Sequence, residues 1–385
     1  MRGLCNRAGT LTVAAVLLAI TANLAPRTAR AAGGENRVSL DLFVFDQNDQ
    51  STDHLRRQGF IYGAGGVDFS VRASELVVVR GATTIAYIKG SGKPELPSSI
   101  TNASVTSASP DTVTWDIVIG LDIRKPGSRW QFSPGVYYHH QFGWAVPGLD
   151  MSLRGEFFGG DGVLTLNYAI RGAIRGGDFW DGNWRGFHYL LSNNLQIGWT
   201  QTLSPSWITA VSVQYARQDG QTIGYFNYVV LVDANGTPIK LTDERLPTQR
   251  NRVQVNLRVR YSPKLGLAFG LDLSGYIDDW SIRHAAIQGS LEVPLAQWLR
   301  FRFWYRFAAQ HRTRFFRLSP LAETRYQTQD SDLDSFTMHS AGMLLHFSLT
   351  KTRRPHWAIR LGSLGFYRSD GIAALGGSIG LVASW

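Results

Sequence analysis

The sequence predicts an all-β fold: an antiparallel transmembrane β-barrel of about sixteen strands, with short periplasmic turns and longer external loops. Long segments alternate between apolar and polar residues, which is the two-residue period of a strand. Aromatic residues make up 12 % of the chain and its 40 glycines are spread along it, as in barrels whose outer face meets lipid. Alternation also continues to the last residue, Trp385, which we interpret as the interfacial anchor of a closing strand.

Residues 1–31 are expected to be a cleaved signal peptide. Arg2 and Arg7 precede an apolar run over 11–20, and small residues at 29 and 31 mark a cleavage site. The segment holds four arginines and no acid, so its removal lowers the net charge from +10 to +6. Beyond it the chain has no apolar run of about 18 residues, which argues against a helical membrane protein. Residues 32–385 are therefore predicted to form a single outer-membrane barrel domain.

Thirteen strands are predicted after residue 112. The clearest is "QWLRFRFWYRFAAQ", where Phe301, Phe303 and Tyr305 share one face and Arg300 and Arg302 the other. The thirteen lie near 113–124, 130–142, 149–158, 163–173, 190–202, 207–216, 249–261, 265–277, 282–293, 297–310, 335–349, 356–366 and 372–385.

Three more strands, near 38–46, 66–76 and 78–89, bring the count to sixteen; merging two of them gives fourteen as the alternative. An even count puts both termini in the periplasm. Short turn-forming links alternate with longer polar ones, at 174–189, 217–248, 278–281, 311–334 and 367–371. The links 217–248 and 311–334 are long enough to fold inward.

The segments "SNNLQIGWTQTLSPSWI", "IGYFNY", "DERLPTQRNR" and "GYIDDWSIRHAAIQ" resemble a family of uncharacterised bacterial outer-membrane β-barrel proteins, mainly over residues 100–320. "VTSASPD" fits a segment before that family's early strand. The resemblance implies the barrel fold and no established activity. Some relatives are encoded beside a protein flavin transferase and a small lipoprotein, which implies a link to a cell-envelope redox system. This chain departs from the family at "RFWYRFAAQHRTRFF", where relatives have Tyr-Tyr-Thr-Gln-Ser.

Charged residues are predicted to line the lumen, because they alternate with the apolar residues that would face lipid. The set comprises Arg250, Arg252, Arg258, Arg260, Arg300, Arg302, Arg306, Asp272, Asp278 and Glu292. One interpretation is a transverse field that selects small charged solutes, with a preference for anions because arginine is in excess. The alternative is an ion-paired network that stiffens the wall.

Two further sites have structural alternatives. Asp278 or Asp279 could orient His284 as a base, although a turn capped by the two acids explains the same residues. The segment "DFWDGNW" offers an aromatic and acidic binding lip of Asp178, Trp180, Asp181 and Trp184, or simply interfacial aromatics.

The leading functional hypothesis is a channel or substrate-specific pore in the outer membrane of a Gram-negative bacterium. A closed structural or interaction barrel in an envelope complex is second, and an outer-membrane hydrolase is third. Expected partners are outer-membrane lipid, the barrel-assembly machinery through the C-terminal strand, small solutes and envelope proteins. No cofactor or metal is expected. A nucleic-acid partner is not expected either, since the basic residues are scattered and do not form a block.

Overall fold

The computed structural model describes residues 36–49, 59–91, 112–141, 143–178, 184–222, 227–350 and 356–385. The predicted signal peptide lies outside these residues. Strands dominate the described part, with two short 3-10 turns at Phe158–Gly160 and Ser331–Leu333. Among the described residues there is no helix that is both long and apolar enough to cross a membrane.

Sixteen strands form one closed antiparallel barrel, and each pairs with its neighbours along the chain. They are β1 (Arg37–Asp49), β2 (Gly59–Arg72), β3 (Val77–Ser91), β4 (Thr112–Ile123), β5 (Trp130–Gln141), β6 (Trp144–Phe157), β7 (Gly162–Asp178), β8 (Trp184–Ser204), β9 (Trp207–Gly220), β12 (Gln249–Lys264), β13 (Leu267–Asp278), β14 (Arg283–Ala296), β15 (Leu299–His311), β16 (Phe336–Ser348), β17 (His356–Arg368) and β18 (Ile372–Ser384). Two short strands, β10 (Tyr228–Val232) and β11 (Pro238–Asp243), form a separate hairpin between β9 and β12.

The last strand closes the barrel on the first. β18 pairs with β1 in antiparallel register from Ser384 opposite Arg37 to Ile372 opposite Asp49. Beyond the strand ends, Trp385 and Asn36 exchange two backbone hydrogen bonds of 3.0 Å each. The predicted closure and the count of sixteen are confirmed, and the fourteen-strand alternative is wrong because β1, β2 and β3 are separate strands.

The connections differ between the two ends of the barrel, as predicted. One end, here called the turn end, carries the first residue of β1, the last residue of β18 and short links such as 73–76, 124–129, 205–206 and 265–266. The opposite end, here called the loop end, carries the links 221–248, 279–282 and 312–335.

Three predicted boundaries are wrong: the strand expected at 149–158 begins earlier, as β6 over 144–157, and glycine explains the other two. The strand expected at 66–76 is β2, over 59–72, and 73–76 is a turn in which the Ala73 N–H donates to the Val77 carbonyl (3.0 Å). The run Gly63-Ala64-Gly65-Gly66 carries almost no side-chain alternation and hides the first half of that strand. The link expected at 174–189 is instead mostly strand, because β7 and β8 stay paired as far as Asp178 opposite Trp184.

Apolar side chains cover the outer face of the barrel. In β1, Leu40, Leu42 and Val44 are exposed, whereas the alternate residues Ser39 and Phe45 are buried on the lumen side. The same alternation recurs around the barrel, and an apolar surface of this extent is typical of a face that meets lipid. Aromatic pairs mark its turn-end rim, where the rings of Trp207 and Tyr261 stack with centroids 4.4 Å apart.

Candidate functional site in the barrel lumen

The predicted arginine row of β12 faces the lumen. Val255 and Leu257 are exposed on the lipid side, so the alternate residues, including Arg258 and Arg260, point inward. In the β12–β13 register Arg258 lies opposite Asp272, and Arg260 lies opposite Gly270. A side chain at position 270 would collide with the Arg260 guanidinium, so this glycine lets the arginine lie flat along the wall.

Arg258 and Arg260 share one carboxylate. The Arg258 Nε donates to one oxygen of Asp272 at 2.7 Å, and the Arg260 Nη2 donates to the other at 2.8 Å. Two guanidinium groups and one carboxylate leave a net positive charge at this point of the wall. Both interpretations of the charged lumen apply here, because the residues are ion-paired and still carry an excess of cation.

The arginines on β15 have fewer carboxylate partners than those on β12. In register, Arg302 lies opposite Glu292 and Arg306 lies opposite Gln288. The Arg300 guanidinium approaches Glu292 only to 4.0 Å. Within the residues that the structure describes, Arg302 and Arg306 make no ion pair with a carboxylate, and the Arg306 Nε is buried without a hydrogen-bond partner. The wall formed by β12 to β15 is therefore cationic.

The remaining predicted lumen residues lie at the loop end and hold a turn. Asp278 accepts two hydrogen bonds from Arg250, of 2.6 and 2.8 Å, and its other oxygen accepts from the Trp280 and Ile282 backbone N–H groups. The Arg250 guanidinium also lies 4.5 Å above the Trp280 ring. Arg252 donates to the Gln218 side chain at 3.1 Å. Arg250 and Asp278 thus fix the β13–β14 turn.

A second charged cluster on β4 to β7 was missed by the sequence reasoning. Asp116 accepts from the Tyr137 hydroxyl (2.9 Å) and is 2.8 Å from Nδ1 of His139. Arg171 donates to both oxygens of Asp150, at 2.6 and 2.8 Å, and its guanidinium lies 4.2 Å from the Tyr137 ring centroid. These charges are single residues on four strands, and only the register brings them together. The sequence signal that could have pointed to this cluster is the alternation of residues around "YYHHQ".

The two long loop-end links pack together into a folded unit, here called the cap and defined as residues 227–248 and 312–335. Backbone hydrogen bonds of 2.9 and 2.7 Å join Arg245 to Gln327 in both directions. The Gln329 side chain accepts from the Val230 N–H at 2.8 Å, and the Thr328 hydroxyl donates to Glu244. An apolar cluster attaches the cap to the β13–β14 turn, and its members are Leu246, Trp280, Phe315, Tyr326 and Leu333.

The cap reaches into the mouth of the barrel. The Gln310 side chain, on the lumen face of β15, donates to the carbonyls of Asp332 (2.8 Å) and Asp334 (3.0 Å). Arg368, on the lumen face of β17, pairs with Asp332 and with Asp370 at 2.6 Å each. Of the two links long enough to fold inward, 312–335 therefore makes these contacts with the lumen wall.

A buried acid lies beside this contact. Burial next to Asp332 and Glu244 raises the pKa of the Asp330 carboxyl to about 8. Asn227 donates to one of its oxygens (3.3 Å), and the Asp332 N–H donates to the other (2.9 Å). The cap thus joins the wall through an acidic cluster held by Arg368.

Solvent exposure changes along the lumen. Near the turn end the side chains of Arg300 and Asp41 are 60 % and 46 % exposed, and those of Arg258 and Glu292 are each 36 % exposed. At the loop end the values fall to 4 % for Arg368 and 0 % for Asp278. Of the side chains compared here, those near the turn end are thus more exposed than Arg368 and Asp278 at the loop end.

The residues considered for catalysis do not form a catalytic arrangement. Asp278 is occupied by Arg250, and Asp279 accepts from the Asn251 side chain at 2.7 Å. The His284 ring stacks on Tyr276, with centroids 5.2 Å apart. Among the described residues, no hydrogen bond joins His284 to either acid.

The binding lip falls mostly outside the described part of the chain. Trp180 and Asp181 lie outside the described residues, and of Asp178 only the backbone is described. Trp184 is exposed on the outer face and packs edge-on against Phe187, at 5.4 Å between centroids.

Several solved barrels are similar to this chain in fold alone. The siderophore receptor PirA from Pseudomonas aeruginosa is 8 % identical with a TM-score of 0.42; the match covers 88 % of this chain and 57 % of the receptor, so this chain spans little more than half of it. A deltaS2 mutant of the TodX monoaromatic hydrocarbon channel is 10 % identical (TM-score 0.43; 92 % and 90 % of the two chains). OccK2 (OpdF) from Pseudomonas aeruginosa, solved with glucuronate, is 11 % identical (TM-score 0.44; 91 % and 98 %).

A family model agrees with the resemblance seen in the sequence. No curated protein matches the chain. The family match begins in β8 and ends just after β17, so it includes both arginine rows, the cap and the Arg368 contact. Over residues 191–370 the chain matches the family described as "Protein of unknown function (DUF3570)", which confirms the predicted similarity to an uncharacterised family.

Proposed function

We propose that this chain is an outer-membrane pore for small anions, closed at its outer end by the cap. Short turns in such barrels are periplasmic and longer loops are external, so the turn end faces the periplasm and the loop end faces outward. The apolar outer face supports placement in a bilayer. The partners of this proposal are outer-membrane lipid, small solutes and the barrel-assembly machinery, which would act on the C-terminal strand that ends at Trp385.

The uncompensated arginines carry the anion preference. Arg258 and Arg260 share a single carboxylate, and within the described residues Arg302 and Arg306 have none. All four cations are on the lumen face: Arg258, Arg260 and Arg302 lie in the turn-end halves of their strands, and Arg306 lies just past the middle of β15. A charged wall of low dielectric constant focuses its field into the aqueous space and raises the local concentration of ions of opposite sign.

The cap makes the proposed pore a gated one. Arg368, Asp332 and Gln310 join it to the wall at the loop end, where the side chains of Arg368 and Asp332 are only 4 % and 10 % exposed. Passage requires these contacts to open, so conductance should be low in the wild-type protein and should rise when the Arg368 pairs are removed.

Ion selectivity tests the proposal. Residues 32–385 are refolded, and the reversal potential is measured in a planar bilayer under a tenfold KCl gradient, with the Arg368→Met background used to raise conductance. We expect anion preference, and a shift of the reversal potential toward zero in R302Q/R306Q. The matched control is Arg217→Gln, whose arginine lies on the outer face and is paired with Asp219. A double variant that conducts with unchanged selectivity contradicts the assignment of Arg302 and Arg306.

The packed loop end favours a second candidate, a closed barrel that serves as a structural or interaction component of an envelope complex. On this hypothesis the cap is a permanent part of the fold and a surface for a partner protein. This hypothesis would be supported if neither the wild-type protein nor the Arg368→Met variant conducts ions, with the folding of both verified by heat-modifiable migration. Enzymatic activity is not part of this proposal, since in the part of the chain that the structure describes Asp278 and Asp279 are bound to Arg250 and Asn251 and not to His284.

A further inference from the structure

A group of cationic side chains begins on the lipid-facing side of the barrel, at its loop end. Arg283 is the first residue of β14 and His311 the last of β15, and the two are directly opposite in register. They alternate in phase with the exposed outward residues Ile287 and Tyr305. Their side chains therefore project outward at the end of the lipid-facing surface.

Two more exposed arginines, Arg312 and Arg314, follow directly in sequence. Thr313 and Phe315 are buried, whereas Arg312 and Arg314 are exposed, so this stretch turns its arginines away from the cap interior. The Arg314 N–H and the Thr313 hydroxyl both donate to the Trp280 carbonyl, at 3.0 and 2.8 Å. These bonds hold the stretch against the turn that leads into Arg283. Arg283, His311, Arg312 and Arg314 are here called the rim patch.

The rim patch is not neutralised by the described part of the chain. None of its four members makes an ion pair with a described carboxylate. The nearest acid in sequence, Asp279, is engaged by the Asn251 backbone and side-chain nitrogens at 3.1 and 2.7 Å. Arg217, also exposed at the loop end of the outer face, contrasts with the patch because Asp219 holds it at 2.7 Å.

Aromatic side chains locate the membrane boundary just below the rim patch. On the outer face of β15 and β16 the Tyr305 hydroxyl is 2.6 Å from Nδ1 of His339, whose ring lies 5.1 Å from the Phe307 ring. Aromatic residues with a polar group concentrate at the level where acyl chains meet headgroups. Because His311 lies four residues beyond Phe307 toward the loop end, the patch lies at the headgroup level.

We propose that the rim patch binds the phosphorylated headgroup of an outer-leaflet glycolipid. Guanidinium groups bind phosphate through paired, charge-assisted hydrogen bonds, and several unpaired arginines at headgroup level supply a site for a headgroup with more than one phosphate. Anionic headgroups attract cationic side chains close to the membrane surface. The proposal is independent of conduction, since Arg283 and His311 project from the outer face and Arg312 and Arg314 are exposed on the surface of the cap.

The test measures retention of bisphosphorylated lipid A by the folded barrel in detergent, by native mass spectrometry. Wild-type protein is compared with R283A/R312A/R314A and with Arg217→Ala, a control from the same face with a compensated charge. We expect apparent affinity at least tenfold weaker in the triple variant and unchanged in the control. A triple variant that retains lipid A like the wild type overturns the proposal.

A second measurement requires no variant. Wild-type protein is offered lipid A with both phosphates or fully dephosphorylated lipid A, under identical detergent conditions. Preference for the phosphorylated lipid, weakened by added salt, is expected because the contacts are electrostatic. Equal retention of the two lipids would mean that the acyl chains alone bind, and the phosphate site would be refuted even if the triple variant failed to fold.

Discussion

Removing the Arg368 guanidinium is expected to release the cap from the barrel wall. Arg368 is 4 % exposed and pairs with Asp332 and Asp370 at 2.6 Å each, while its guanidinium carbon lies 3.9 Å from the Phe336 ring centroid. Arg368→Met keeps an apolar stem against Phe336 and removes both ion pairs.

The size of the effect follows from burial. The Asp332 side chain is only 10 % exposed, so loss of its partner leaves a poorly solvated carboxylate close to Asp330. Removing one member of a buried ion pair costs about 3 kcal/mol or more. Because Asp332 belongs to the cap and Arg368 to the wall, this free-energy cost destabilises the state in which the cap is bound to the wall. An opening free energy lowered by about 3 kcal/mol raises the open population roughly 100-fold, at about 1.4 kcal/mol per factor of ten.

Hydrogen exchange of peptides from 312–335 measures this opening directly. We expect exchange in this segment to accelerate in Arg368→Met while peptides from β12 to β14 keep their wild-type protection. Glu323→Gln is the control within the cap, since Glu323 pairs with Lys240 and Arg245 at the surface and its loss should change exchange little. Unchanged exchange of 312–335 in Arg368→Met would refute the assignment of Arg368 as the residue that holds the cap.

Three further predictions concern the cap, a close backbone approach and the closing strand. The pKa of Asp330 is raised from 3.8 to about 8 in the folded cap, so the cap should lose stability as pH rises from about 4 to 8. Hydrogen exchange of residues 327–333, corrected for the intrinsic exchange rate, should show this loss. Asp330→Asn should abolish the pH dependence. Gly220 has φ +120° and would place a side chain against the Tyr189 carbonyl, so Gly220→Ala should lower the free energy of unfolding in urea by more than about 1 kcal/mol, whereas an unchanged midpoint would contradict this strain. Trp385→Ala should slow barrel assembly in lipid vesicles, whereas Leu375→Ala on the same strand should not. Assembly is measured by heat-modifiable migration, and equal rates for the two variants would contradict the anchor role of Trp385.

Alternation predicted most of the barrel because lipid and lumen demand opposite side chains from every strand. The strand expected at 130–142 is observed as Trp130–Gln141, and that expected at 372–385 is observed as Ile372–Ser384. Prediction failed where glycine replaces the informative side chain, in the first half of β2 and in the paired ends of β7 and β8. Glycine is compatible with pairing but carries no sign of which face it occupies.

The period of two also predicted that Arg258, Arg260 and Asp272 share the lumen, and their register joins them. The period gave no information on how far each residue lies from either end of the barrel. That position distinguishes Arg300, which is 60 % exposed, from Arg250, which is 12 % exposed. The cap was inaccessible for a different reason: Gln327, Thr328 and Gln329 are polar and suggest an exposed loop, yet they are buried because hydrogen bonds from another link satisfy them.

The pairing of β1 with β18 has a consequence for how the chain folds. The turn-end hairpins close loops of a few residues, such as 73–76, and the longest loop-end link is 221–248, whereas the last pairing joins Arg37 to Ser384, almost the full length of the chain. Relative to a four-residue turn, that is about six doublings of loop length at about 0.6 kcal/mol each, or about 4 kcal/mol of additional closure entropy. Until this pairing forms, both edge strands present unpaired backbone groups that invite pairing with other chains. High contact order therefore makes the final seam the slow step, and the growing sheet needs protection from aggregation until its two ends meet.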